Sequence, residues 1–206
     1  MAFEDEADVA IGDQLPADVL LRIYSDFLFE DFLESYEKLF CFRNEDSLEQ
    51  PAFYTWENQL YRNFMMRLLS MLEPRKENKN VTIYNELDEV NEVIFFNKGD
   101  YDVGFEINRE RYFVVRYQNN ESANIIGAYG VTFNIRSKFI YRTASFCEGC
   151  SVRKTKWMTL MEDDDHKIIS YHLKKQLKKD YEKKLFNRVN DEKIKKLKMW
   201  GKRADY

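Results

Sequence analysis

The pair Cys147 and Cys150, in the stretch CEGC, has a spacing that occurs in metal and redox sites. A zinc site needs about four ligands, and the sequence has no second CxxC and no HxxxH. A redox CxxC opens a helix after a strand, whereas this pair lies between two predicted strands. Nothing else in the sequence supports a catalytic dyad of Cys147 with His166. We therefore predict that both cysteines are structural residues at a sheet edge.

The acidic stretch EDDDH at 162–166 could hold a hard cation through its carboxylates. It also precedes a basic helical pattern, and acidic side chains stabilise the first turn of a helix. The second interpretation predicts no metal site. The sequence contains neither the phosphate-binding pattern GxxxxGK[ST] nor the nucleophile pattern GxSxG. These absences predict that the chain is not an enzyme.

The stretch IIGAYGVTFNIRSKFIYRTAS at 125–145 is the strongest candidate for a ligand site. Its pattern predicts a strand, a short turn marked by glycine, and another strand. Such a turn suits a phosphate, because backbone N–H groups can point at the ligand. The charged residues that would grip a phosphate are nevertheless missing from the turn. The stretch therefore predicts a ligand pocket, either working or degenerate.

Helices are predicted on the N-terminal side of this stretch, over 15–73. LPADVLLRIYSDFLFEDFLESYEKLF repeats apolar residues at steps of three and four, and so does ENQLYRNFMMRLLSMLEP. Pro74 ends the second helix. The surplus of aromatic residues in the first segment indicates an interface with a neighbouring subunit. That surplus consists of Phe27, Phe29, Phe32, Tyr36, Phe40 and Phe42.

Seven or eight short strands are predicted over 81–155, and they include all of NIIGAYGVTF. In YDVGFEI, large apolar residues alternate strictly with other residues, which predicts a strand with one buried face and one solvent-exposed face. The fold class is therefore α+β: an antiparallel, jelly-roll-like β-roll of about eight strands, flanked by N-terminal helices and a long C-terminal helix.

The long C-terminal helix is predicted over 156–203, with apolar residues four apart at Ile169, Leu173, Leu177, Tyr181, Leu185 and Val189. A step of four residues drifts by ~40° per step in an α-helix. The apolar stripe therefore winds round the helix. We expect its first part to pack on the roll and its distal part to find another partner or to fray.

Composition limits the class of protein. The chain has 206 residues, with 44% hydrophobic and 16% aromatic residues, enough for a buried core. Residues 1–60 carry 15 acidic side chains, whereas residues 166–203 carry 14 basic ones with only four aromatic residues among them. This charge split predicts solvated helix faces or contact between the two ends, and no nucleic-acid binding. An acidic start, three cysteines and no apolar run of ~20 residues predict a soluble chain in a reducing compartment.

The chain resembles the cyclic-nucleotide-binding domain family in the order of its segments. That order is a helix, FMMRLLSMLEP, roll strands, IIGAYGVTFNIR, CEGCSVRK and a final helix. More narrowly, it is similar to the cytoplasmic C-terminal region of ciliate cyclic-nucleotide-gated and voltage-gated potassium channels. The resemblance covers nearly the whole chain. It implies a disordered acidic segment at 1–14, helices like the end of a C-linker at 15–56, a β-roll at 57–165, and a basic helix and tail at 166–206.

The family's phosphate-binding cassette reads F-G-E-[IL]-x-L-L, and R-[ST]-A follows about five residues later. In the family, the Glu binds the ribose 2′-hydroxyl and the Arg binds the exocyclic phosphate oxygens. Aligned without gaps, Ile126, Gly127, Ala128 and Tyr129 take the first four positions. Arg136, Ser137 and Lys138 take the later ones, so Ala128 replaces the Glu and Ser137 replaces the Arg. Arg136 and Lys138, as neighbours in a predicted strand, would point to opposite faces.

The resemblance implies a regulatory domain of a potassium or cation channel, on the cytoplasmic face of a membrane, that binds cAMP or cGMP weakly or not at all. It also implies neighbouring subunits in a homotetramer, with a pore outside this chain as the only membrane contact. Two alternatives stay open: a working cyclic-nucleotide sensor that uses Arg136 or Lys138, and a soluble scaffold or regulatory subunit with the same fold. An empty pocket would be filled by water or covered by Tyr171 or Tyr181.

Overall fold

Eight strands form two antiparallel sheets, as the alternating sequence patterns predict. The computed structural model describes residues 15–40, 56–118 and 125–201. The predicted disorder at 1–14 lies outside these ranges. The strands are β1 (Glu73–Glu77), β2 (Thr82–Tyr84), β3 (Glu92–Lys98), β4 (Tyr101–Ile107), β5 (Glu110–Tyr117), β6 (Ile125–Ile126), β7 (Ile140–Thr143) and β8 (Cys147–Arg153). Their spatial orders are β1-β8-β3-β6 and β2-β7-β4-β5, which confirms the predicted α+β roll.

Two strand predictions are wrong in detail. NIIGAYGVTF was predicted to be one strand, but only Ile125 and Ile126 pair with β3, and helix begins at Ala128. Strand β1 was not predicted, because EPRKE is charged and contains Pro74. Proline is tolerated in an edge strand, and β1 lies at the edge beside β8.

The N-terminal helices pack their aromatic residues onto the roll. They are α1 (Ala17–Ile23), a π-helical turn (Tyr24–Leu28), α2 (Glu30–Phe40) and α3 (Gln59–Ser70). The Phe95 ring of β3 lies 5.2 Å from the Phe32 ring and 5.1 Å from the Tyr36 ring. The prediction that these aromatics form a subunit interface is therefore wrong for Phe32, Tyr36 and Phe40, which are buried within the chain. Phe27 is 78% exposed, and Phe42 lies outside the described residues.

The C-terminal part is not one continuous α-helix. The short helix α4 (Ala128–Thr132) precedes β7, and α5 (Lys154–Glu162), a 3₁₀ turn (Asp164–His166) and α6 (Lys167–Asp180) follow the roll. A π-helical turn (Tyr181–Phe186) then leads into α7 (Asn187–Gly201). A π turn has more residues per turn than an α-helix, so it compensates for the angular drift of apolar residues spaced four apart. Val189 is therefore fully buried, and the prediction that the distal stripe leaves the roll is wrong at this residue.

No described helix combines the length and apolarity needed to cross a bilayer.

One buried carboxylate, Asp102, ties three strands together. In register, Asp102 of β4 is opposite Arg116 of β5 on one side and Arg142 of β7 on the other. Arg116 Nε donates to its Oδ1 at 2.8 Å, and Arg142 Nη2 donates to its Oδ2 at 3.0 Å. Burial raises the pKa of Asp102, but the hydrogen bonds from the two arginines outweigh it and hold the pKa below its usual value.

We expect Asp102 to set part of the acid sensitivity of the fold. Because the folded pKa is depressed, its stabilisation is present above the unfolded pKa of about 3.9 and is lost as pH falls through the folded pKa. Asp102→Asn should lower the free energy of unfolding by about 1–3 kcal/mol at pH 7 and flatten its dependence on pH below about 4. Urea unfolding between pH 3 and pH 7 measures both effects.

The matched control is Glu106→Gln on the same strand, where the partner Arg111 is exposed and little change is expected. If Asp102→Asn keeps the acid dependence of the wild type, Asp102 is not the titrating group.

Candidate functional site: a pocket lined by tyrosines

Gly127 lies at a sharp turn between β6 and α4. Gly127 has φ of +83° and ends β6, so the chain turns directly into α4. The Val131 N–H donates to the Gly127 carbonyl at 2.9 Å, and the Ile135 N–H donates to the Gly130 carbonyl at 2.8 Å. Trp157 of α5 is fully buried and donates from Nε1 to Thr132 Oγ1 at 2.9 Å. These bonds fix α4 and the loop after it.

Six of the seven predicted site residues line one pocket between α4, the loop before β7 and the C-terminal helices. They are Gly127, Ala128, Tyr129, Arg136, Ser137 and Lys138. Ile126 is fully buried in the core instead. The free volume of the pocket is about 750 Å³, counting its open mouth.

Arg136, Ser137 and Lys138 lie in a loop and not in a strand, which corrects the prediction. Arg136 Nη1 donates to the Leu87 carbonyl at 2.9 Å. The Lys138 ammonium lies 4.8 Å from the centre of the Phe186 ring. Ser137 is 6% exposed, and its Oγ donates to the Phe139 carbonyl at 2.7 Å. Each of the three polar side chains therefore already has a partner within the chain.

The sheet wall of the pocket is a row of tyrosines, one from each strand of the second sheet. The row is Tyr84 on β2, Tyr141 on β7, Tyr101 on β4 and Tyr117 on β5, and all four line the pocket. In register, Tyr84 is opposite Tyr141, and Tyr101 is opposite Tyr117. The Tyr101 and Tyr117 rings are stacked, with centres 5.2 Å apart. We call these four residues the tyrosine row.

The opposite wall is a second pair of tyrosines. Tyr181, in the π turn, stacks on Tyr129 of α4 with ring centres 3.9 Å apart and planes within 3°. The Tyr117 hydroxyl donates to the Lys184 carbonyl at 2.6 Å, which joins this wall to the tyrosine row. Of the two tyrosines predicted to cover the pocket, Tyr181 lines it, whereas Tyr171 is 64% exposed and does not.

The tyrosines of the pocket wall are uncharged, whereas Arg136, Lys138, Lys184 and Asp180 bring charged groups to the rest of the lining. Burial, together with the nearby Tyr181, Tyr117 and Tyr84 hydroxyls, raises the pKa of Tyr141 well above its usual value. Burial likewise raises the pKa of Tyr181, and it raises that of Tyr84 to about 12. These phenols are uncharged donors at neutral pH. At the mouth, Asp180 pairs with Lys184 at 3.2 Å and accepts from Gln176 at 3.1 Å.

The tyrosine row was missed at the level of sequence. Several predicted strands contain a tyrosine, but only the strand order shows which four of the rings are adjacent. Tyr129 and Tyr181 are 52 positions apart in the chain. Their stacking depends on the π turn, which no simple pattern predicts.

The other two chemical candidates are structural. Cys147 is fully buried, its S–H donates to the Asp100 carbonyl at 3.3 Å, and burial raises its pKa to about 11. It begins β8, which lies between β1 and β3, so the predicted edge position is wrong. In the 162–166 stretch, Asp163 pairs with Arg67 and accepts the Asp165 N–H at the start of the 3₁₀ turn. Within the described ranges, no three His, Cys, Asp or Glu side chains are grouped to hold a metal.

Comparisons with known proteins give structural neighbours only. No family model and no curated protein matches the chain. The c-di-GMP responsive global regulator CLP of Xanthomonas campestris matches at 17% identity over 57% of this chain and 58% of its own, with a TM-score of 0.44. The EAL enzyme Bd1971 matches at 16% identity over 52% of this chain and 96% of its own, with a TM-score of 0.42.

A third neighbour is the regulatory domain of PKA from Toxoplasma gondii, crystallised with cAMP. It matches at 10% identity over 56% of this chain and 45% of its own, with a TM-score of 0.43. The chain thus spans less than two thirds of the first and third neighbours. All three TM-scores are below 0.5, so the fold is assigned from the strand order and register of this chain.

Proposed function

We propose that this chain is a non-enzymatic regulatory domain with a cyclic-nucleotide-binding-like roll that has lost the chemistry for binding a cyclic phosphate. One observation carries the proposal. The left-handed turn at Gly127 leads into a short helix, and in the alignment with the family's cassette Ala128 and Ser137 take the positions of the ribose-binding acid and the phosphate-binding arginine. The turn and the helix support a cassette backbone that is retained without its charged side chains.

The neighbouring charges do not replace the missing arginine. Arg136 is engaged by the Leu87 carbonyl and Lys138 lies against Phe186. Lys184 also lines the pocket, but its ammonium is paired with the Asp180 carboxylate at 3.2 Å. A charged hydrogen bond contributes about 1.5–3 kcal/mol, so the loss of two such contacts removes about 3–6 kcal/mol. A micromolar site would become roughly millimolar or weaker.

Calorimetric titration of the chain with cAMP and cGMP tests this proposal. The expected result is a dissociation constant no lower than about 1 mM for both nucleotides. Micromolar binding of either would overturn it. The alternative of a working sensor draws support from the position of Arg136 and Lys138 in the pocket lining. That alternative requires micromolar binding that Arg136→Ala or Lys138→Ala abolishes.

We further propose that this regulatory domain belongs to a channel, with 15–56 as the end of a linker, 57–165 as the roll and 166–206 as a basic helix and tail. In this arrangement the domain assembles as a tetramer at the cytoplasmic face of a membrane. An antibody against 166–201 should detect a band heavier than 24.9 kDa in the membrane fraction of the source cells. A 24.9 kDa band confined to the soluble fraction would instead favour the scaffold alternative.

A further inference from the structure

The outer side of α2 is an acidic face that the described part of the chain does not neutralise. Glu30, Asp31, Glu34 and Glu37 are exposed, and none of them forms an ion pair with a described residue. Lys38 is the one basic residue of α2. Glu30, Glu34 and Glu37 are spaced as neighbours on one side of a helix, where like charges repel one another. This face therefore favours a partner with positive charge.

Two large apolar side chains are exposed where the acidic face begins. Phe27 and Leu28, in the π turn before α2, are 78% and 62% exposed. Burying such side chains against another molecule is favourable, and apolar side chains rimmed by charged ones mark interaction surfaces. We call Phe27, Leu28, Glu30, Glu34 and Glu37 the acidic surface.

The exposed side of α6 has the opposite charge in the same arrangement. Near its start, Ile168 and Tyr171 are 59% and 64% exposed. Lys175, Lys178 and Lys179 follow, and all three are exposed. Successive positions are three or four residues apart, with Lys179 next to Lys178, so the five side chains lie on one side of the helix. We call these five residues the basic surface.

The two surfaces have matching spacings along the chain. Glu34, the central glutamate, follows Phe27 by seven residues, and Lys178, the central lysine, follows Tyr171 by seven residues. At ~1.5 Å of rise per residue, about 10 Å separates the apolar end from the centre of charge in both surfaces. The two surfaces laid side by side in the same direction would therefore place apolar residues against apolar residues and glutamates against lysines.

A second copy of the chain satisfies both surfaces at once. A nucleic acid or an anionic membrane would match only the lysines, and it would leave the glutamates and the exposed Phe27 and Leu28 uncovered. Opposite charges across an interface also steer association and fix its register. The partner of each surface is therefore already encoded in the same chain.

We infer that copies of this chain associate by docking the acidic surface of one copy on the basic surface of another. The inference rests on the proposed function, which takes the domain to assemble with copies of itself, and it assigns the two surfaces that make the contact. Because the contact joins two different surfaces, it can repeat from copy to copy and close into a ring.

Two charge-reversed variants of the whole chain test this contact by sedimentation velocity. One variant reverses the glutamates of the acidic surface and the other reverses the lysines of the basic surface. The substitutions are Glu30→Lys, Glu34→Lys and Glu37→Lys in the first, and Lys175→Glu, Lys178→Glu and Lys179→Glu in the second.

The wild type is expected to associate beyond its 24.9 kDa monomer at about 50 mM salt and to dissociate at about 0.5 M salt, because salt screens exposed charges. Each variant alone should associate at least about tenfold more weakly, since like charges then meet at the contact. An equimolar mixture of the two variants should recover the association, because each variant offers the other a surface of opposite charge.

The control reverses three exposed glutamates of the roll, Glu89→Lys, Glu106→Lys and Glu110→Lys, and so has the same net charge as the first variant. It should associate like the wild type, and circular dichroism shows whether each variant keeps the fold. A wild type that is monomeric at low salt, variants that associate like the wild type, or a folded mixture that stays monomeric would overturn the inference. Equal loss in the control would also overturn it, since net charge alone would then be the cause.

The nucleotide titration tests the proposed function separately, because no residue of either surface lines the pocket. Weak binding of cAMP and cGMP together with a failed charge reversal would overturn the inference and leave the proposed function standing.

Discussion

The double variant Ala128→Glu with Ser137→Arg is expected to bind cAMP or cGMP about 10²- to 10⁴-fold more tightly than the wild type. Each restored contact is a charged hydrogen bond of about 1.5–3 kcal/mol, and the two together give about 3–6 kcal/mol. Both positions line the pocket, so both new side chains begin where the ligand would lie. Calorimetric titration of the wild type and the variant measures the difference.

The gain is reduced by two losses that the structure identifies. Ser137→Arg removes the bond from Ser137 Oγ to the Phe139 carbonyl, and a longer side chain at Ala128 must displace part of the packing around α4. The Ser137 N–H still donates to the Asp88 carbonyl at 2.9 Å, so the loop itself keeps its backbone anchor. Because of these losses, we expect the gain in affinity to lie nearer to about 10²-fold than to about 10⁴-fold.

The single variants provide the controls. Ala128→Glu alone adds a negative charge and should not improve binding, whereas Ser137→Arg alone should recover part of the gain. Circular dichroism shows whether each variant keeps the fold. A double variant that is folded and still binds neither nucleotide would mean that 126–138 is not in register with the cassette.

Local pattern was sufficient to place strand β4 at YDVGFEI, and Pro74 lies just beyond the end of α3 at Ser70. The predicted exposed face of β4 is wrong, because Asp102 and Gly104 are buried and only Glu106 is exposed. Local pattern was insufficient for β1, because the charged sequence EPRKE pairs through its backbone at a sheet edge and needs no apolar alternation. The aromatic residues of α2 were assigned to an interface because sequence does not show that Phe95 lies opposite them.

The candidate site, too, could be predicted from the sequence only in part. Gly127 could be predicted, since a glycine between a strand and a short apolar segment favours a left-handed turn. The tyrosine row could not, because its four members are brought together only by the order β2-β7-β4-β5. The position of Tyr181 depends on the π turn in the C-terminal helix, where backbone bonding departs from the α pattern. The pocket is therefore a product of strand order and helix irregularity more than of any motif.

Gly127→Ala is expected to destabilise the fold by about 3 kcal/mol or more, because two separate costs add. A left-handed conformation costs a residue with a Cβ about 1–2 kcal/mol. The Cβ would also lie 2.4 Å from the Glu92 carbonyl oxygen and 3.0 Å from Val90 Cγ1, so backbone at the start of β3 must move. Because the turn positions α4, the same variant should also lose any binding by the pocket.

The variant Asn80→Ala measures the cost of the left-handed conformation without the steric clash of a Cβ in the core. Asn80 has φ of 67° in an exposed turn, so alanine there meets the left-handed cost without a clash inside the core. We expect a loss of about 1 kcal/mol, within the range for a single left-handed residue. Urea unfolding of the wild type and both variants gives the free energies, and similar losses in the two variants would mean that β3 accommodates the methyl group. The close approach of Gly127 to Glu92 would then not be what requires glycine at this turn, and the φ of +83° alone would account for it.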